Sequence, residues 1–181
     1  MIYFSSDLHL NHNRDFIYEP RGFSCVDKMN ETIIENFNKI ITKKDDLYLL
    51  GDTFLGDLNE GISLFNQLPG KIHIIWGNHC TDSRKEAIAQ CHNVIKIYGF
   101  ATMLKYNKHH FYLSHFPTIT TNFDDYKKPL KERTLCLAGH THSKEKFEKW
   151  NTYNVAVDAH NCFPVSIEQI IDDFHKKFGQ K

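Results

Sequence analysis

Histidine, aspartate and asparagine recur in this chain in short groups: Asp7-Leu8-His9, Gly51-Asp52, Gly77-Asn78-His79, His115, and Gly139-His140-Thr141-His142. Together they offer imidazole nitrogen, carboxylate oxygen and amide oxygen, without thiolate. That donor mix suits borderline first-row ions such as Mn²⁺, Fe²⁺ or Zn²⁺. Two such ions about 3.5–4 Å apart form a clamp for in-line displacement at phosphorus. A pair of ions needs a ligand that can serve both, and a carboxylate has two oxygens; Asp52 is the expected bridge. Asn78 adds an oxygen without adding charge. Only two carboxylates, Asp7 and Asp52, then face two divalent ions. The site stays cationic, which favours a phosphate ligand and lowers the pKa of a bridging water towards ~7.

Any one of these groups alone is more simply a solvated or capping residue, since short motifs match by chance. Their placement is what matters. Apolar runs of strand length occupy 1–6, 46–50, 71–76, 94–98, 109–114, 134–138 and 153–157. Asp7 and His9 follow the first run, Asp52 the second, Asn78 and His79 the third. His115 follows 109–114, and His140 and His142 follow 134–138. Ligands in open α/β sheets bind at the carboxyl ends of strands, so these groups are expected to meet in one crevice. The glycines at 51, 77 and 139 allow the backbone to turn sharply just before a ligand.

Helical periods fill the gaps between strands. Val26, Met29, Ile33, Phe37, Ile40 and Ile41 share one face of a helix over 26–41. Segments 58–67 and 82–91 read as two more helices. Ser166 with Gln169 forms a capping box ahead of a stripe of Ile167, Ile170, Ile171, Phe174 and Phe178. Strand and helix alternate in the first half, and strands and loops dominate the second. The pattern predicts a layered α/β fold with partly parallel sheets, in a single domain over 1–181. Segment 116–133 has no clear period, and a loop of that length is expected to be a lid, a binding loop or disordered.

The bulk composition narrows the partners. Twenty-two basic residues balance twenty-two acidic ones, and only four are arginine. That charge excludes a broad footprint for long nucleic acid or an anionic membrane surface. No apolar run approaches the ~20 residues of a membrane span, and no secretory signal pattern is recognisable. Five cysteines stand at 25, 80, 91, 136 and 162, without a C-x-x-C pair. Free thiols in a cytoplasmic protein are the expectation.

Taken together, Asp7-x-His9, Gly51-Asp52, Gly77-Asn78-His79, His115 and Gly139-His140-x-His142 resemble the five-block signature of the calcineurin-like metallophosphoesterases. The C-terminal YNVAVDAHNCFPVSIEQI is further similar to small single-domain bacterial and phage-type members. The resemblance implies a four-layer α-β-β-α sandwich, two mixed sheets flanked by helices, with a dinuclear centre at the strand ends. One ion would take Asp7, His9, Asp52 and His142, and the other Asp52, Asn78, His115 and His140. The ions would be manganese first, with iron, zinc or nickel as alternatives. His79 would assist the leaving oxygen as a general acid. The implied activity is hydrolysis of phosphate mono- or diesters by a metal-bound hydroxide, on a small phosphoester or nucleotide. A nuclease or nucleic-acid end-processing phosphodiesterase is the alternative, followed by a metal-binding scaffold without catalysis.

Members of that family commonly carry an acidic residue after the Asn-His pair, where this chain has Cys80. Cys80 is either an uncharged filler or an extra ligand, and Asp57 or Asp82 could substitute for the missing carboxylate. Asp158-x-His160 copies the spacing of Asp7-x-His9 and is expected to support a ligand histidine or wall the pocket. Arg14 and Arg21 could offer bidentate donors to a phosphate, although solvent exposure is the commoner fate of arginine. His12 lies between the first ligand block and Arg14. Phe16, Tyr18, Phe23 and Phe123 could wall a nucleobase pocket, with core packing as their alternative.

Overall fold

The computed structural model describes residues 1–118, 128–148 and 152–178. Phe123 and half of the unpatterned 116–133 segment, residues 119–127, lie outside them. Among the described residues, no helix is long and apolar enough to cross a membrane.

Four strands, β1 (Ile2–Ser5), β2 (Asp46–Leu50), β3 (Lys71–Ile75) and β4 (Val94–Ile97), run parallel in the order β4-β3-β2-β1. The helices α2 (Val26–Ile40), α3 (Leu58–Phe65) and α4 (Asp82–Ala89) connect them; the short α1 (Asp15–Tyr18) precedes α2. A second sheet has the order β5-β6-β7-β8, from β5 (Ala101–Tyr106), β6 (His109–Ser114), β7 (Thr134–Ala138) and β8 (Thr152–Asn154). Its β5–β6 pair is antiparallel, whereas β6, β7 and β8 are parallel. The two-residue β9 (Val165–Ser166) pairs antiparallel with β1, and α5 (Ile167–Phe178) follows it. Both sheets are therefore mixed, and helices flank them.

The strand sequences explain the layering. Parallel strands buried on both faces read as continuous apolar runs, and DLYLL and KIHII are of this kind. In β2, Leu47 and Leu49 join the cluster of Met29, Ile33 and Phe37 from α2, while Tyr48 and Leu50 face the opposite way. Those two pack in a second cluster with Phe4 and Ile75 and with Phe111, Leu113, Leu135 and Leu137 of the other sheet. Ile167, Ile170 and Phe174 of α5 enter this same cluster. Each fully buried side chain of this size stabilises the fold by about 1.5–3 kcal/mol.

Helix starts follow local hydrogen bonding. Asp57 accepts from the N–H groups of Asn59 and Glu60 at 2.9 and 3.0 Å, opening α3. Ser166 accepts from Gln169 N at 3.1 Å at the head of α5. Among the described residues, α1, β5, β9 and a 3-10 turn over Leu130–Glu132 were not expected from the sequence. The strand expected over 153–157 also stops early, because Asn154 Oδ1 accepts from Ala156 N at 2.9 Å and Val157–His160 winds into a 3-10 turn.

Candidate metal centre

The parallel strands β1, β2 and β3 end on one edge of the first sheet, and β6, β7 and β8 bring theirs to meet it. Backbone hydrogen bonds stitch the ends together. Ser6 N donates to Val155 O at 3.2 Å, Asp7 N to Gly51 O at 3.3 Å, His9 N to Asp52 O at 3.0 Å, and Gly139 N to His115 O at 3.0 Å. The residues expected to be ligands therefore converge.

Their donor atoms form two neighbouring sets. In one, His9 Nε2 lies 3.9 Å from Asp7 Oδ1 and 4.0 Å from Asp52 Oδ2, and His142 Nε2 lies 3.8 Å from Asp7 Oδ1. In the other, His115 Nε2 lies 3.3 Å from Asp52 Oδ2 and 2.8 Å from Asn78 Oδ1. His140 Nδ1 stands 3.1 Å from Asn78 Oδ1 and 3.2 Å from His115 Nε2. Asp52 Oδ2 faces a histidine of each set. Asp7, His9 and His142, and separately Asp7, Asp52 and His115, place donor atoms within 4.8 Å of one another.

The hydrogen bonding around these atoms fits a cation. His115 Nδ1 donates to the Leu50 carbonyl at 2.8 Å, so Nε2 of the neutral ring carries a lone pair. It then faces Asn78 Oδ1 and His140 Nδ1, two further atoms able to ligate a cation at the same point. Asp7 Oδ1 and His9 Nε2 are buried with no hydrogen-bond partner, an arrangement that costs free energy unless something positive lies between them. Burial pushes the Asp7 carboxyl up and holds His9 neutral, its pKa pushed down to about 2. Burial opposes ionisation of Asp52 as well, but the hydrogen bond and charge of His115 and the N–H of His79 outweigh it and hold the carboxyl at about 2. The residues present fit divalent metal ions.

Backbone strain concentrates on the same positions. Asp7, His9, Asp52, His140 and His142 have φ of +53°, +49°, +45°, +74° and +52°, in the left-handed region that non-glycine residues avoid. Each costs of order 1–3 kcal/mol, and such strain clusters at functional sites. Gly77 and Gly139 stand where any side chain would strike Asp52 or Asp7.

The remaining candidates separate clearly. Asn78 and His79 are solvent-exposed. The His79 ring lies edge-on to His9 at 5.8 Å, and its backbone N–H donates to Asp52 Oδ1 at 3.0 Å. Asp158 Oδ2 sits 3.2 Å from His142 Nδ1, which turns Nε2 towards Asp7. Arg21 is a correction to the expectation of an exposed arginine. Its side chain is only 2% exposed, grips Asp158 through Nε and Nη2 at 2.9 Å each, and donates to the Asp7 and Leu8 carbonyls. Arg14 is exposed on the surface. His160 stacks on Tyr153 and its Nε2 bonds the Asn154 carbonyl at 2.8 Å, so its ring holds the chain after β8.

Cys80 is buried against the apolar cluster under α2–α4, and its Sγ accepts from Gly77 N at 3.4 Å. Burial pushes its thiol up. It fills space beside the turn. Asp57 is used as the α3 cap and Asp82 pairs with Lys85, so neither replaces an acidic partner for His79. Tyr18 and Phe23 pack on the core, whereas Phe16 is 65% exposed. Two contacts went unforeseen. His12 Nδ1 lies 3.3 Å from His9 Nδ1, and the Phe116 ring lies 4.6 Å from His140. The DLHLNH spacing, a second histidine three residues after His9, was the local signal for the first.

No model of a known protein family matches the chain. Among solved structures, the protein of unknown function AQ665 from Aquifex aeolicus is similar with a TM-score of 0.72 and 26% identity, over 96% of this chain and 98% of that one. A novel archaeal phosphodiesterase is similar with a TM-score of 0.51 and 18% identity, over 86% and 81% of the respective chains. At that identity the likeness shows a shared fold. The uncharacterized protein MJ1445 of Methanocaldococcus jannaschii is 32% identical over 178 residues, spanning 94% of this chain and 89% of that protein. The chain belongs to the same family as MJ1445.

Proposed function

We propose that this protein is a metal-dependent phosphoester hydrolase of the calcineurin-like kind, built around a pair of divalent ions with manganese the first choice. The observation that carries this reading is Asp52, whose Oδ2 stands 4.0 Å from His9 Nε2 and 3.3 Å from His115 Nε2, one from each donor set. Asp7, His9, Asp52 and His142 would hold one ion, and Asp52, Asn78, His115 and His140 the other. Bound there, such ions supply positive charge against phosphoryl oxygens and lower the pKa of water towards neutrality. The fold shared with an archaeal phosphodiesterase supports the reading. Five free thiols suit a reducing cytoplasm.

The chain's own residues supply the rest. Water adds to phosphorus, its proton passing to solvent, and the bond to the leaving oxygen breaks, its electron pair staying on that oxygen. His79 gives its proton to that oxygen and regains one from solvent. Its exposure lets the ring reach a substrate, and the bond from its N–H to Asp52 fixes its backbone beside the centre. Such a positioned acid is worth about 10²–10⁴ in rate. Arg21 and Asp158 hold His142 and the carbonyls of the Asp7–Leu8 turn in place.

The test is hydrolysis of aryl phosphate mono- and diesters by protein loaded with Mn²⁺, alongside Asp52→Asn and His79→Ala. Cleavage by the wild type is expected, with loss of metal in the first variant and loss of kcat at retained metal in the second. Metal-loaded wild type that cleaves nothing across a broad panel would sink the reading.

A further inference from the structure

Two of the large apolar side chains exposed on this protein touch imidazoles at the centre, one beside each donor set. Phe16, 65% exposed, meets His12 edge-on at 5.9 Å, and His12 in turn lies 5.3 Å from His9. Phe116, 45% exposed, meets His140 at 4.6 Å and His115 at 5.1 Å, both near edge-on. A lone exposed phenylalanine means little. Two of them set against the rings of one site, each making an edge contact there while staying exposed, form a pattern.

Both are held. Phe16 sits in α1 between Asp15, whose Oδ1 accepts from Phe16 N at 2.8 Å, and the buried Ile17. The Phe116 carbonyl accepts from Ser114 Oγ at 2.7 Å and Thr118 Oγ1 at 2.9 Å. The backbone that carries each ring is fixed, which lowers the ordering cost of binding a planar group. His12, which Phe16 meets, and His79 both lie against His9, at 5.3 and 5.8 Å, so Phe16 is tied through His12 to the same ligand histidine that His79 faces.

We propose that Phe16 and Phe116 are stacking platforms for the two organic arms of the substrate, and that the substrate is a short phosphodiester joining two planar groups, of the dinucleoside class. This rests on the phosphoesterase reading and narrows it. A monoester has one organic arm and would leave one platform idle. A long nucleic acid would call for basic surface, which the balance of twenty-two basic and twenty-two acidic residues does not supply.

The decisive measurement is calorimetric binding to Mn²⁺-loaded protein of a dithymidine phosphonate diester, with CH₂ in place of the scissile oxygen, against diethyl phosphate. In wild type the dithymidine probe is expected to bind more tightly. Phe16→Ala and Phe116→Ala are each expected to reduce that preference about 5- to 150-fold, the range carried by base-on-aromatic stacking. Tyrosine at either position should restore it and leucine should not, which separates a planar platform from mere apolar bulk. An unchanged preference in both alanine variants, equal rescue by leucine, or a wild type without preference overturns the proposal. Cleavage of bis(p-nitrophenyl) phosphate by the wild type is scored separately. Cleavage with no stacking effect leaves the hydrolase and removes the platforms; stacking with no cleavage of any ester does the reverse.

Discussion

The carboxylate of Asp158 lies 3.2 Å from Nδ1 of His142 while Arg21 grips both of its oxygens. The sequence separation between Arg21 and Asp158 is 137 residues, and their side chains are 2% and 7% exposed. The pair fixes which nitrogen of His142 faces Asp7. Asp158→Asn keeps the shape and removes the charge, and metal affinity is expected to fall about 10- to 100-fold. Arg21→Ala leaves a buried carboxylate without its cation and is expected to cost about 3–5 kcal/mol in stability. Competition with a chelator measures the first and urea denaturation the second. An Asp158→Asn protein that binds Mn²⁺ like wild type would show that the carboxylate does not orient the ring.

Metal uptake should release protons. Burial works against the charged form of His115, but the Asp52 and Asp7 carboxylates outweigh it and raise its pKa above 6.5. The Asp158 hydrogen bond raises His142 likewise, against burial. For a histidine raised in the folded state, the stabilisation is complete below the unfolded value near 6.5 and fades as pH climbs through the folded one. A divalent ion needs the neutral ring and displaces those protons. His9, held neutral by burial, has none to give. Calorimetric titration near pH 6.5 in buffers of different ionisation heat should register proton release on metal loading, and less of it as pH rises. Proton release that does not change over that range would remove His115 and His142 as the titrating groups.

Thiol chemistry gives an independent check on Cys80. Cys25 is partly exposed, whereas Cys80, Cys91, Cys136 and Cys162 are buried. Burial pushes those four thiols up, Cys162 to about 11, and a thiol kept protonated is a poor nucleophile. One fast-reacting thiol per native chain is expected with a chromogenic disulfide, abolished by Cys25→Ser, with the others reacting only on unfolding. Peroxide should leave activity unchanged. Rapid labelling of Cys80 in the native protein would contradict its role as buried filler.

What could be seen beforehand, and what could not, divides along physical lines. The groups at Asp7, Asp52, Asn78, His115 and His140 were visible because parallel strands buried on both faces write unbroken apolar runs, and the polar residue ending each run marks the sheet edge. The strand β5 was missed because its residues are half exposed, with Met103 facing solvent. Its hairpin to β6 turns on Asn107 and Lys108, both at positive φ, a turn usually announced by Asn-Gly. The Arg21–Asp158 clamp and the Phe116–His140 contact join residues distant in sequence, and no local pattern encodes them. Nor does sequence reveal that five proposed ligands adopt left-handed backbone, since their residue types do not demand it.

Gly139 offers the sharpest test of the Asp7 assignment. A Cβ there would run into the Ser6 hydroxyl and Asp7 Oδ2, and would lie 2.7 Å from Ser6 Cβ. Ser6 and Asp7 are fully buried, and Asp7 Oδ2 is already held by Ser6 Oγ at 2.6 Å and His140 N at 2.8 Å, so neither can retreat cheaply. Gly139→Ala should therefore cost about 1–3 kcal/mol from overpacking, and should also displace the carboxylate and weaken metal binding. Gly99→Ala is the control. Gly99 has φ of +75°, and an added methyl group there would meet nothing within 4 Å, so only backbone strain of about 1–2 kcal/mol is expected. Thermal melting should fall in both variants, while metal content after dialysis falls in Gly139→Ala alone. If both keep metal equally, the close approach of Gly139 does not set the Asp7 carboxylate, and Asp7 loses its place as a ligand fixed by that contact.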